Sequence, residues 1–361
     1  MSPIAPPPAD PSNKWADDEA AARLGHKLFF ETAFSPSGET ACATCHKPSL
    51  FFSDGLTVSK GEGAPWRHTP NLIAAANSPW QGWDGACDSL WCMALLALEH
   101  PERMASTRLK VAQTVAAKHG AEWAEVFGAL PDLAAADAAT IDGVFVQAGK
   151  ALGAYLRQIR PAEAPIDHYV AALKAGDADG GGHLSDSAVA GLDLYIGRAG
   201  CIACHFGPRF TNDGFYNVAS LDGAAQQGHD RGRADGVIAA LDSPWSCLGD
   251  FSDAETAQCV HLLYVNPKEF HAIGAFKVAS LRNAFETAPF MHGGLCKDLE
   301  QSIEHYNRID LFAPPFGITE PFLESLNLTT AEKTDLHNFL RSLSGPVPDT
   351  WWAKSPQESA P

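Results

Sequence analysis

Two pentapeptides, CATCH (Cys42, Cys45, His46) and CIACH (Cys201, Cys204, His205), carry the most specific chemistry in this chain. With 9 cysteines and 14 histidines in 361 residues, composition alone gives roughly 0.009 such matches, so two are not chance. At this spacing two thiols bond the vinyl groups of a porphyrin, and the adjacent His gives a nitrogen to iron. A zinc knuckle would need further paired ligands at finger spacing, and a thioredoxin-type pair would sit in a βαβ frame. The flanks here read as helices with Gly- and Pro-rich loops. The pattern therefore predicts two covalent haem c groups, held by Cys42, Cys45, Cys201 and Cys204, with His46 and His205 on the irons. Tyr306, in EHYNR, is a third residue to weigh. With Ile303 it falls at i, i+3 on a helix, the ordinary spacing of a core tyrosine, and an iron ligand would need more than spacing.

Helices must position these motifs. DDEAAARLGHKLFF leads to the first and LSDSAVAGLDLYIGRAG to the second; in the latter Ser185 is the expected N-cap, and Val189, Leu192 and Ile196 recur at helical spacing. Residues 105–128 and 138–160 also read as helices, and Pro161 and Pro165 mark a boundary. The expected fold is mainly α, with two tandem cytochrome c-like haem domains and long irregular loops. The expected order is a flexible leader (1–14), a haem domain (15–162), a second haem domain (163–345) and a tail (346–361). GDADGGGHLSD echoes a calcium loop, but Ala188 stands where a bidentate Glu is needed, so it reads as a Gly-rich turn.

The net charge is −17, from 43 acidic and 26 basic residues, which excludes nucleic acid and anionic lipid as natural partners. No apolar run is long enough for membrane insertion, and the first residues hold no signal-peptide pattern. Haem c attachment implies an oxidising, periplasmic compartment where disulfides persist. Closing a loop between Cys247 and Cys259 would contribute about 3 kcal/mol. Cys87 and Cys92, on one helix, would be separated by about 7.5 Å of axial rise, too far to bridge. They can pair only if CDSLWC is not helical. Cys296 is left over, as a small buried hydrophobe.

LGHKLFFETAFSPSGETACATCH, RHTPNLIAAANSPWQGWDG, AGCIACH and GAFKVASLRNAFETAPFMHGG resemble the bacterial dihaem cytochrome c peroxidase and MauG superfamily, over about residues 20 to 345. The resemblance implies a peroxide-reactive first haem on His46, a relay haem on His205, and Trp83 of WDG between them. Conventional peroxidases supply Met to the second iron at the position matched by Tyr306; MauG- and MbnH-like members carry an iron-bound Tyr there. Met291 and His292 are the rival ligands. The HYNR ending and the Cys247/Cys259 loop lean toward the MbnH-like branch. The superfamily also implies calcium between the domains, with Thr287 and Pro289 carbonyls as ligands; His68 stands where its Asn ligand would be.

The chain departs from the pattern on the reactive side. KGEGAPWRH offers Glu62 where a displaceable His is usual, which favours an open iron, with His68 nearby. Ala86 replaces an Arg, Met93 falls at a distal Gln, and Glu102 matches the distal Glu one residue out of register. Proton transfer to peroxide needs such a group; Glu102 is the candidate, with Glu99 or His100 as substitutes. The resulting expectation is a hydrogen-peroxide-dependent oxidoreductase that oxidises a partner-protein tryptophan through a bis-Fe(IV)-type state. The alternatives are a cytochrome c peroxidase served by a small redox protein, and a non-enzymatic electron-transfer cytochrome whose first iron is closed by Met93.

Overall fold

Short helices joined by long loops make up most of the computed structural model, which describes residues 4–65, 67–220 and 230–358. In the first half come α1 (Glu19–Phe29), α2 (Cys42–Cys45), α3 (Leu90–Glu99), α4 (Arg108–Lys118), α5 (Gly120–Phe127) and α6 (Ala138–Leu156). The second half holds α7 (Pro165–Lys174), α8 (Asp186–Ile196), α9 (Arg233–Asp242), α10 (Val260–Leu263), α11 (Leu299–Asn307) and α12 (Thr330–Arg341). Two short strands, β1 (Phe215–Tyr216) and β2 (Phe276–Lys277), pair antiparallel, with Phe215 opposite Lys277. No helix among the described residues is long and apolar enough to cross a membrane.

Side-chain caps start the helices where the sequence signals them. Asp18 accepts from the Ala21 amide at α1, and Ser185 accepts from the Ala188 amide at α8. The run 105–128 does not form one helix. His119 breaks it, with φ −129° and ψ 16°, before the weak helix former Gly120, and its ring is held 3.0 Å from Glu31.

The two halves repeat one packing device. α1 crosses α6 and α8 crosses α12, each at a glycine. A Cβ on Gly25 would lie 1.9 Å from the Ala151 carbonyl oxygen, and one on Gly191 would lie 2.0 Å from that of Asp335. No side chain fits either crossing, so each helix pair depends on bare backbone contact. Gly25→Ala and Gly191→Ala should each lose about 1–3 kcal/mol of stability. Thermal unfolding of the two variants checks this; unchanged midpoints would show that the crossings can spread without cost.

Two distant segments complete the first half. Trp245 packs on Phe145, the Lys150 ammonium donates to the Phe251 carbonyl (2.8 Å), and the Cys247 amide donates to Asp88 (2.9 Å). Near the C-terminus, Trp352 is buried beside Phe52, its carbonyl accepts from the Tyr155 hydroxyl (2.8 Å), and the Lys354 carbonyl meets His26 Nε2 (2.7 Å). The leader is also packed: Asn13 donates to the Lys150 carbonyl and Trp91 donates to the Ser12 hydroxyl.

Both disulfides open to question in the sequence are formed, Cys87–Cys92 and Cys247–Cys259. The first is geometrically allowed because Ser89 caps α3, leaving Cys87 outside the helix and the Cα atoms 5.7 Å apart.

Candidate haem sites and the junction between them

Each CxxCH motif presents a histidine in the same way. His46 Nδ1 donates to the Phe52 carbonyl, and His205 Nδ1 donates to the Phe210 carbonyl, both at 3.0 Å. Each acceptor is a Phe in the left-handed region, with φ of 59° and 53°, a conformation that a bulky residue holds only under constraint. The core supplies that constraint. Phe52 lies against Phe29 and Trp352, and Phe210 against Tyr195 and Phe339. Fixing Nδ1–H on a carbonyl puts the lone pair on Nε2, the form a metal requires; the Pro70 and Ala279 carbonyls also lie against the His46 and His205 rings. Burial lowers the His46 pKa to about 4 and that of His205 in the same direction, so both rings stay neutral. Cys42, Cys45, Cys201 and Cys204 are all unpaired. Burial pushes the Cys42 thiol up to about 12 and the Cys201 thiol up to about 11. Unpaired thiols beside an imidazole whose Nδ1–H is tied to a carbonyl form a donor set that fits a covalently bound haem at both motifs.

Tyr306 stands in the last turn of α11, which Asp298 caps through the Gln301 amide. Its neighbour His305 is tied to the Val218 carbonyl (2.7 Å). Among the described residues no hydrogen bond reaches the Tyr306 hydroxyl. Burial raises its pKa, and the thiols of Cys201, Cys204 and Cys296 lie close enough to raise it further. Cys201 packs against the core cluster that holds Leu299 and Ile303, which brings α11 to the CIACH motif. His292 faces elsewhere: its ring stacks on Phe276 at 3.4 Å, and its carbonyl accepts from the His68 amide. Its neighbour Met291 has φ 67°.

Trp83 sits where the halves meet. Its indole N–H donates to the His68 carbonyl (2.8 Å), while its own carbonyl accepts from the Lys277 amide of β2 (2.8 Å). Gly236 of α9 lets that helix close on the same turn; a Cβ there would lie 2.1 Å from the Asp84 carbonyl oxygen. Arg67 spans the junction, bidentate to Asp230 (2.7 and 2.8 Å) and bonded to Asp84 (2.6 Å). The two carboxylates hold its charge against burial.

On the first side, the Glu62 amide donates to the Arg103 carbonyl (2.8 Å) and the Gly63 amide to the Glu102 carbonyl (3.3 Å). Gly61 makes that contact possible, since its Cβ would lie 2.1 Å from the Glu102 carbonyl oxygen. The Glu62 side chain turns outward, accepting from the Ser37 and Thr40 hydroxyls, both at 2.6 Å. Glu99 is taken by Arg108 (2.7 Å). His100 accepts at Nδ1 from the Glu102 amide (3.2 Å). The Glu102 carboxylate makes no hydrogen bond or ion pair among the described residues. Met93 Sδ lies 3.6 Å from Arg103 Nη1. Arg103 is the residue that sequence reasoning passed over here; the one-residue offset of Glu102 was its only trace.

His68 occupies the calcium position expected from the sequence. Its Nδ1 donates to the Leu56 carbonyl (2.8 Å), and the Thr287 carbonyl is a second backbone acceptor for the ring. No cluster of three or more His, Cys, Asp or Glu able to hold a metal ion occurs among the described residues. An imidazole offers no oxygen, so this ring does not fit a cation that takes oxygen ligands.

Residues 19–175 match the di-haem cytochrome c peroxidase family. Over 325 residues the chain is 30% identical to the methylamine utilization protein MauG of Methylorubrum extorquens, covering 89% of this chain and 77% of that protein. It is 28% identical over 357 residues to cytochrome-c peroxidase IdrP1 of Denitromonas iodatirespirans, with 95% and 86% covered. Among solved structures it is similar in fold to a MauG-like protein associated with microbial copper homeostasis (TM-score 0.71, 23% identity, 98% of this chain and 96% of that one). The diheme peroxidase BthA of Burkholderia thailandensis is likewise similar (TM-score 0.73, 20% identity, 96% and 90% covered).

Proposed function

Because the chain belongs to the di-haem cytochrome c peroxidase and MauG family of H2O2-dependent oxidoreductases, we propose that it uses peroxide to oxidise a tryptophan on a partner protein in the periplasm. The observation that carries this reading is the unpartnered phenol of Tyr306 beside the CIACH thiols. A phenolate ligand stabilises oxidised iron, whereas a Met ligand raises the potential.

Bound haem supplies the iron that reduces peroxide and a second redox centre that shares the oxidising equivalents. The protein residues set the conditions for that chemistry. Phe52 and Phe210 orient His46 and His205 through their carbonyls. The loop at 61–63 is fastened to 102–103 and brings no ligand of its own, which supports an open first site. Glu102 takes a proton from peroxide and returns it to the leaving oxygen, with His100 next to it. Trp83, fixed at both its indole and its carbonyl, carries oxidising equivalents across the junction. Calcium has no part in the proposal, since the His68 ring is held in its place by backbone carbonyls.

The second reading, reduction of peroxide with electrons from a small redox protein, draws support from the IdrP1 likeness. A pure carrier is disfavoured, because Met93 keeps its sulfur near Arg103. Electron paramagnetic resonance of the oxidised protein should show one high-spin centre, at His46, and one low-spin centre, at His205. Two low-spin signals would rule out the open first site and restore Met93 or His68 as a ligand.

A further inference from the structure

Arg103 is a half-buried cation in the first half with no carboxylate bonded to it among the described residues. Other arginines nearby are matched: Arg67 takes Asp84 and Asp230, and Arg108 takes Glu99 and Asp142. Arg103 forms no ion pair among the described residues, and the one acceptor found for its guanidinium is the weakly accepting Met93 sulfur. Burial lowers its pKa; Asp84 and, more weakly, Cys45 and Glu102 oppose that effect, while Arg67 adds to it. Cys45 Sγ lies 3.7 Å from the Lys60 carbonyl, and the adjacent Gly61 packs on the Arg103 backbone, so Arg103 lies at the first motif.

The backbone holds it there. The carbonyls of Glu102 and Arg103 accept from the Gly63 and Glu62 amides, and Gly61 is pressed against both residues. Arg103 and Met93 come from α3 and the loop after it, a different wall of the site from the CATCH segment. A half-buried guanidinium with no carboxylate bonded to it is left open to an anion, and its planar fork suits a small oxyanion or halide.

We propose that Arg103 binds the anionic form of the peroxide ligand at the first haem, donating to its oxygen and supplying the positive charge that Ala86 cannot. Arg103 does not titrate in the working range, so it is the charge and hydrogen-bond partner, while Glu102 or His100 handles the proton. The proposal rests on the open first site described above.

Fluoride and imidazole titrations of the oxidised holoprotein, followed by visible absorption, test it. Fluoride stands in for the anion and imidazole for a neutral ligand. In Arg103→Met, fluoride affinity should fall about 10- to 100-fold, as expected for loss of a charge-assisted hydrogen bond. Imidazole affinity should stay within about twofold of the parent. Arg103→Lys keeps the charge but not the fork, should fold if Arg103→Met does not, and should fall between the two. Fluoride affinity unchanged in either variant, with the parent still binding it, overturns the Arg103 assignment alone and points to a haem propionate as its partner. Equal losses for fluoride and imidazole overturn it in favour of a packing role. A parent protein that binds neither ligand and is low-spin overturns the open site, and this proposal with it.

Discussion

Tyr306→Phe is expected to raise the midpoint potential of the second haem by on the order of 0.1 V, within the roughly 0.8 V range that axial ligands command. The substitution keeps the ring in place on α11 and removes only the hydroxyl, which has no hydrogen-bond partner among the described residues. If that oxygen bound nothing, its loss would leave haem spectra and potential close to those of the parent. If it is the ligand, the low-spin signal of the His205 haem should be lost, and the iron should become easier to reduce. Tyr306→Met should restore a six-coordinate centre at a still higher potential, because thioether donates less charge than phenolate. In both variants peroxide should no longer oxidise the partner protein. An unshifted potential in Tyr306→Phe would return Tyr306 to the core and leave Met291 or His292 to serve the iron. It would also favour the peroxidase reading served by a small redox protein. His292 would then have to leave its stack on Phe276.

Trp83→Phe should separate the two haems functionally while leaving their resting spectra alone. The rate at which peroxide oxidises the second haem is expected to fall at least about tenfold, equivalent to about 1.4 kcal/mol in the barrier. Stopped-flow absorption resolves this. The variant also loses the hydrogen bond to the His68 carbonyl, a loss of about 1–2 kcal/mol in stability. A purely structural Trp83 would show that stability loss with unchanged kinetics, so thermal unfolding measured alongside separates the two roles.

Local chemistry was readable from the sequence; long-range closure was not. CxxCH fixes its own ligand geometry, and Ser185 caps α8 through a contact three residues away. The Cys87–Cys92 pairing stayed open because it turns on where α3 begins, and the Ser89 cap sets that start at Leu90, three residues past Cys87. Helical periodicity made Tyr306 a core residue, since a ligand and a packing residue can share one face of a helix. Only the resemblance connected it with CIACH. The contacts of Trp245 and Trp352 with the first half carry no local signal, being made by segments about 100 and 200 residues away from their partners. Arg103 was passed over for a related reason: in sequence it is one charge in PERM, and its isolation from carboxylates exists only once the chain is folded.

The closure of the first half by Trp352 has a consequence for biogenesis. Phe52 positions His46 and rests on Trp352, 300 residues further along the chain. A chain emerging N-terminus first therefore exposes CATCH long before the wall behind it exists. Haem attachment at that motif must either act on an unfinished pocket or wait for the Trp352 segment to arrive. The same dependence makes the first half a poor candidate for independent expression: a fragment ending at 162 would lack both Trp245 and Trp352. A premature stop near residue 345 would leave both motifs in the product, yet strip the support from the one where peroxide is expected to react.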